Sequence, residues 1–315
     1  MFLTKIIISM QRRIKWIFGI LVFLFFFFGI LNYFKILPFQ NIKNLASVFF
    51  TESVTEQQLK SKYNNDEVKI LIVPGHDDDF WGTEFSGIKE ADLNLDLAKE
   101  LSKMLAQEKE FEVILLRDEN GYNQSFLNYL DKERKSIEKF IQKQKQTMKD
   151  FVASNLVEEK EGVPHVSVSL ERVVKLYGIN KWANENNFDI VINIHFNDYP
   201  RKNINRAGEY SGLAIYVPDA QYSNAKASKS LANPIFERFK KYFAVSNMPK
   251  EKEGIIDDQK LISIGANNSL DSAALLIEYG YIYESQFMNK KTRPVVFKKL
   301  ATQTYLGIKD FFEKN

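Results

Sequence analysis

The sequence predicts an α/β fold: a single domain with a mostly parallel central sheet flanked by helices, preceded by an N-terminal transmembrane helix. Three observations predict it. Short apolar runs alternate with longer segments of helical period, the pattern of a sheet whose strands are joined by crossover helices. Leu93, Leu97, Leu101 and Met104/Leu105 recur at steps of three and four, which gives one apolar helix face. Trp16 to Phe34 carries no charged residue over 19 positions.

As a helix, that last run would reach ~28 Å, close to the hydrocarbon thickness of a bilayer. Lys5, Arg12, Arg13 and Lys15 precede it, and Lys35 and Lys43 follow. The heavier basic flank keeps residues 1–15 in the cytoplasm and exports the rest. A cleaved signal peptide would have a shorter apolar core and a small-residue cleavage site. Here the run is longer and "NYFKILPF" has no such site, so 16–34 is expected to be an uncleaved single-pass anchor. Residues 35–66 follow as a juxtamembrane linker with a short helix, and 67–315 as the folded domain.

Within that domain, Lys69–Val73 is a buried strand ended by Pro74-Gly75. "EADLNLDLAKELSKMLAQ" is an amphipathic helix, and Phe111–Asp118 a second strand. An insert at about 123–168 contains "QSFLNYLDKERKSIEKFIQKQKQTMKDFVASNL", with neither Gly nor Pro. Leu130, Ile137, Ile141, Met148 and Phe151/Val152 give it helical spacing, so a long helix or a helical hairpin is expected. It is either a solvated helix packed by that stripe or an arm for a protein regulator. "SLERVVKLYGINKWANENN" is a helix with Ser169 as N-cap and Arg172 in its first turn. "FDIVINIHF" and "GLAIYVP" are further strands. "NAKASKSLANPIFERFKKYF" is a helix interrupted near Pro234, "SAALLIEYGYI" a fifth strand, and "RPVVFKKLATQTYLGIKDFF" the final helix.

Composition narrows the function. The 43 basic and 40 acidic residues leave a net charge of +3, which does not point to nucleic acid. Cysteine is absent, which excludes disulfides, thiolate metal sites and cysteine nucleophiles. The chain has only three histidines. His76 lies just past the first strand, His195 ends the third, and Glu278 ends the fifth. Glu90 opens the first amphipathic helix, on its sheet-facing side. Ligands of open α/β sheets bind at the carboxyl ends of the strands, so these four residues have a route to one crevice. Two imidazoles and a carboxylate are a ligand set for catalytic zinc, and a second carboxylate can serve as general base and acid. His76, Glu90 and His195 would be the ligands and Glu278 the acid/base. Glu84 competes with Glu90 for its role, but only Glu90 opens a helix.

In these segments the chain resembles the zinc-dependent N-acetylmuramoyl-L-alanine amidases of the amidase-3 type. The resemblance rests on "ILIVPGH", "EADLNLDLAKEL", "VILLRD", "SLERVVKLYGINKWAN", "NIHFND", "GLAIYVP", "SKSLA" and "LIEYGYIYESQ", in that order from about residue 68 to 313. It implies zinc on His76, Glu90 and His195, catalysis by Glu278, and hydrolysis of the amide between N-acetylmuramic acid and L-alanine in peptidoglycan. Arg172 and Asn197 are candidates for orienting the substrate. An outward-facing domain on a membrane anchor would lie beside that wall. Two other functions fit the same pattern: an inactive amidase-like module that binds wall or a division partner, and a zinc hydrolase acting on another amide. The chain departs from the family at Val73, usually Asp, at Asp77–Asp79, usually glycines, and at Asn193, usually Ser. The three aspartates read most simply as a solvated acidic loop, and His165 as a surface loop residue.

Overall fold

The interior strand β1 (Val68–Pro74) is buried along its length apart from Lys69, as a strand covered on both faces must be. The computed structural model describes residues 52–162, 169–199, 201 and 203–314, all within one compact unit. The expected segment 1–15, the anchor Trp16–Phe34, the linker up to residue 51 and His165 lie outside the described residues. Among the described residues, no helix is long and apolar enough to cross a membrane.

The short helix expected in the linker is α1 (Glu56–Asn65). Thr55 starts it with a reciprocal cap: the Gln58 amide donates to Thr55 Oγ1 at 3.1 Å, and the Thr55 amide donates to Gln58 Oε1 at 2.8 Å. Its Leu59 is buried in the domain core. After β1 come a two-residue hairpin, β2 (Glu84–Phe85) and β3 (Ile88–Lys89), then α2 (Glu90–Leu105) and β4 (Phe111–Leu115). The second expected strand therefore stops early. Arg117 instead enters a tight hairpin, β5 (Arg117–Asp118) with β6 (Gly121–Tyr122). The insert forms one continuous helix, α3 (Gln124–Ala153), and no helical hairpin. Its Ile137 and Ile141 pack on Val174 and Tyr177 of α4 (Leu170–Glu185), which Ser169 caps by accepting from the Arg172 amide. The remaining elements are β7 (Ile190–Asn197), β8 (Ala214–Pro218), α5 (Ala225–Phe239), β9 (Ile255–Asp258), β10 (Ala273–Tyr281), the single turn α6 (Ser285–Met288) and α7 (Arg293–Glu313).

The strands form one six-stranded sheet in the order β4-β1-β7-β10-β8-β9. The first four are parallel, β8 runs antiparallel to β10, and β9 follows β8. β9 is an addition to the expected strands. Its sequence, Ile-Ile-Asp-Asp, lacks the alternation that marks a strand, because it is a short edge with only Asp258 buried. The interruption expected at Pro234 does not occur; α5 passes through it. Proline removes one backbone donor, and the buried Leu231, Ile235 and Phe239 hold the helix on both sides of that loss.

Side-chain parity divides the sheet into two faces. Ile70, Ile72, Ile192, Ile194, Leu275 and Ile277 pack with α2, α5 and α7. Leu71, Val73, Val191, Ala274 and Leu276 face α4 and Phe126 of α3. His195 and Glu278 share the parity of Val191 and Leu276, so they belong to the α4 side.

Candidate metal centre and its cavity

The register of the sheet brings the scarce residues into one row. Pro74 pairs with Ile194, and His195 with Glu278, across the three adjacent strands β1, β7 and β10. His195 and Glu278 are the first breaks in strand cores that are otherwise fully buried. Gly75, the first residue after β1, lies against His195: a Cβ there would lie 2.3 Å from its ring, so only glycine fits. His76 then turns over with φ +62°, a left-handed conformation uncommon outside glycine. Glu90, the first residue of α2, reaches up from the opposite layer.

The three side chains meet. His76 Nε2 lies 3.2 Å from Glu90 Oε2, and His195 Nδ1 3.0 Å from Glu90 Oε1. One ligand atom from each residue falls within 4.8 Å of the others, a group that could hold a metal ion. Glu90 is itself held in place. Its Oε2 accepts from the Thr83 amide at 3.1 Å, and its Oε1 from the Phe196 amide at 3.4 Å. Burial alone would raise the Glu90 carboxyl, but attraction to His76 and the hydrogen bonds of both imidazoles outweigh it and hold it well below the ordinary carboxylate range. Burial lowers His195, whereas at His76 the Glu90 carboxylate overcomes burial and raises the imidazole. Gly82, with φ +77°, lets the following loop pass close by; a Cβ there would meet Glu90 Oε2 at 2.3 Å and His76 at 2.7 Å.

Glu278 lines the same cavity as His76 and His195, about 420 Å³ in volume. Its Oε2 is buried with no hydrogen-bond partner. Burial, then repulsion from Glu90 and Glu251, pushes its carboxyl well above the usual range. The remaining walls include Phe80, Tyr122, Arg172, Lys175, Asn193 and Lys260.

Several residues that build this site were not evident from the sequence. Arg117 is buried, and its guanidinium donates to the carbonyls of His76 (2.8 Å), Gly75 (3.2 Å) and Ala91 (2.8 Å). It thereby ties the histidine turn to the start of α2. Asn94 adds a bond to the Gly75 carbonyl at 2.9 Å. The "VILLRD" motif marked the arginine, but only the fold shows what it holds.

The expectation that Asp77–Asp79 form a solvated loop fails at its first member. Asp77 is buried; it accepts from the Phe80 amide and the Tyr122 hydroxyl, both at 2.9 Å, and from Lys175 Nζ at 2.5 Å. Burial would raise its carboxyl, but these bonds outweigh burial and lower it. Asp78 and Asp79 are exposed. Asn197 lies apart from the cavity wall. Its amide donates instead to Glu251 Oε1 at 2.7 Å, within a buried carboxylate network completed by Tyr216, Ser246 and Tyr281. Glu84 is exposed on β2. Tyr279 and Tyr281 are core residues, whereas Phe80 and Trp81 are exposed at 38% and 40%.

Comparison with known proteins bears on the whole domain. No curated protein sequence is similar enough to match. Among solved structures, an N-acetylmuramoyl-L-alanine amidase from Clostridium difficile 630 is similar, with a TM-score of 0.50 and 20% identity over 79% of this chain and 98% of that one. The CwlD amidase from Clostridioides difficile, solved with the GerS lipoprotein, has a TM-score of 0.51 and 16% identity over 79% of this chain and 100% of its own. Ami1 from Mycobacterium abscessus has a TM-score of 0.51 and 13% identity, covering 78% and 99%. These likenesses concern the fold. The family described as N-acetylmuramoyl-L-alanine amidase matches residues 70–310, from β1 through most of α7 and across His76, Glu90, His195 and Glu278, and the chain belongs to that family.

Proposed function

We propose that this peptidoglycan amidase works with a zinc ion held by His76, Glu90 and His195, and that Glu278 is its general base and acid. The observation that carries the reading is the convergence of three ligand atoms within 4.8 Å beside a cavity lined by His76, His195 and Glu278, the last with one oxygen buried and without a partner. Two imidazoles and one carboxylate, with no thiolate in the chain, suit zinc with an open position for water. The fit extends to the backbone: Gly75 and Gly82 leave no room for a side chain against the histidines. When bound, zinc supplies Lewis-acid polarisation of the scissile carbonyl and brings water's acidity near neutrality.

The chain's own residues perform the rest. Arg117 and Asn94 fix the Gly75–His76 turn, so His76 approaches Glu90 without searching. Glu278, without a partner for one oxygen, takes the proton of the attacking water. It then returns that proton to the nitrogen of L-alanine as the amide bond breaks. The products are the lactyl carboxylic acid of N-acetylmuramic acid and a peptide with a free L-alanine amine.

The charge-free run Trp16–Phe34 with its basic N-terminal flank supports a membrane anchor that places the domain on the wall side of the membrane. Digestion of purified muropeptides tests the function. The zinc-loaded chain releases stem peptides beginning with L-alanine, and chelation stops the release until zinc is restored. Cleavage at another bond, or full activity in chelator, would contradict the proposal.

A further inference from the structure

Three cations line the cavity, and their partners differ. Lys175 is neutralised by Asp77 at 2.5 Å. Lys260 lies 3.7 Å from Glu159, in the segment that follows α3. Arg172 has no carboxylate partner among the described residues. Its guanidinium carbon instead sits 3.8 Å from the centre of the Phe80 ring. Such stacking covers a face of the guanidinium and leaves its edge of N–H donors available.

This placement is built, not incidental. Asp77 uses one oxygen on the Phe80 amide, which fixes the turn carrying that ring. The other oxygen binds Lys175, three residues beyond Arg172 on α4 and so on the same side of the helix. The acidic loop therefore absorbs the charge of Lys175 and offers Arg172 only an aromatic face. A half-buried cation is left in the wall of the cavity that His76 and Glu278 also line. Planar guanidinium groups recognise carboxylates through paired hydrogen bonds, so an anionic part of the substrate is the ligand this wall fits.

Resting on the amidase reading, we propose that Arg172 is a specificity-determining residue that binds the free carboxylate of the stem peptide next to L-alanine. In peptidoglycan that position is a D-glutamyl residue whose amine joins L-alanine and whose side-chain carboxyl joins the next residue. Its α-carboxyl is either free or amidated, and only the free form pairs with a guanidinium. The Phe80–Arg172 stack sets the reach of that contact, and Asp77 holds the stack. The enzyme accordingly distinguishes acidic from amidated stems.

The test compares two muropeptides that differ only in this group, D-glutamate or D-isoglutamine, with the zinc-loaded full chain. The wild type has a kcat/KM about 10- to 100-fold higher on the acidic substrate, the range of a hydrogen-bonded charge pair. In Arg172→Gln that ratio collapses toward one, through a raised KM for the acidic substrate. Arg172→Lys, which keeps the charge without the fork, retains part of the ratio and guards against a variant that fails to fold. Binding of the free L-alanyl-γ-D-glutamyl product, followed calorimetrically in chelator, weakens in Arg172→Gln independently of turnover. Equal wild-type rates on the two muropeptides would overturn the inference, as would an unchanged ratio in Arg172→Gln. Cleavage of neither muropeptide by the wild type would instead overturn the amidase reading and this inference with it.

Discussion

The helical layer under the sheet and the turn above its carboxyl edge are held together by opposite means. Beneath the sheet, α2, α5 and α7 meet through Leu97, Leu101, Leu231, Ile235, Leu300 and Ile308, all fully buried. Their stabilisation is apolar burial, spread over many contacts and indifferent to any one direction. At the edge, Glu90, Arg117 and Asp77 are buried charges, each fixed by several directed bonds. His76 adopts a positive φ, and one oxygen of Glu278 has no partner at all. Such groups destabilise a fold unless the surroundings hold them. The apolar layer supplies stability that the edge uses to keep reactive groups close together.

Variants on the two sides should therefore separate. The largest effect is expected at Glu278→Gln, which keeps the shape of the side chain but loses its proton transfer: turnover falls about 10²- to 10⁴-fold. Its thermal unfolding should not fall, because a buried and repelled carboxyl is removed. Unfolding scans beside rate measurements check both, and a variant with wild-type rates would break the distinction. Next comes Leu97→Ala in the apolar layer, expected to cost about 2–5 kcal/mol by denaturant titration. Well below its melting temperature, its rate per folded molecule should stay that of the wild type; a rate loss that is not accompanied by unfolding would couple the two regions directly. The smallest change is Asp77→Gly, which removes the links to Phe80, Tyr122 and Lys175. Stability should drop by about 1 kcal/mol, while zinc affinity drops about tenfold as the histidine turn loosens. Unchanged affinity would confine Asp77 to the stack on Arg172.

The two regions also differed in how much the sequence revealed. The apolar layer was legible because Leu93, Leu97 and Leu101 repeat at helical spacing, and periodicity reports burial directly. His76, Glu90, His195 and Glu278 could be grouped because each stands at the end of a strand or the start of a helix. The groups that hold them could not. Asp77 finds Lys175 across 98 residues, and Arg117 finds the His76 carbonyl across 41. No local pattern encodes such pairs; they follow from strand order and loop path. Asp77 looked solvated because it heads a run of three aspartates, of which only Asp78 and Asp79 are exposed. β9 escaped notice because a short edge strand lacks a buried face along its length.

The central claim is that three residues, from the turn after β1, from α2 and from β7, hold one catalytic zinc, and metal content by mass spectrometry tests it most directly. The account predicts one zinc per chain in the wild type and in Glu278→Gln, and its loss in His195→Ala and Glu90→Gln dialysed against the same buffer. A wild-type chain that binds no zinc, or zinc retained at full occupancy when either ligand is removed, would contradict it.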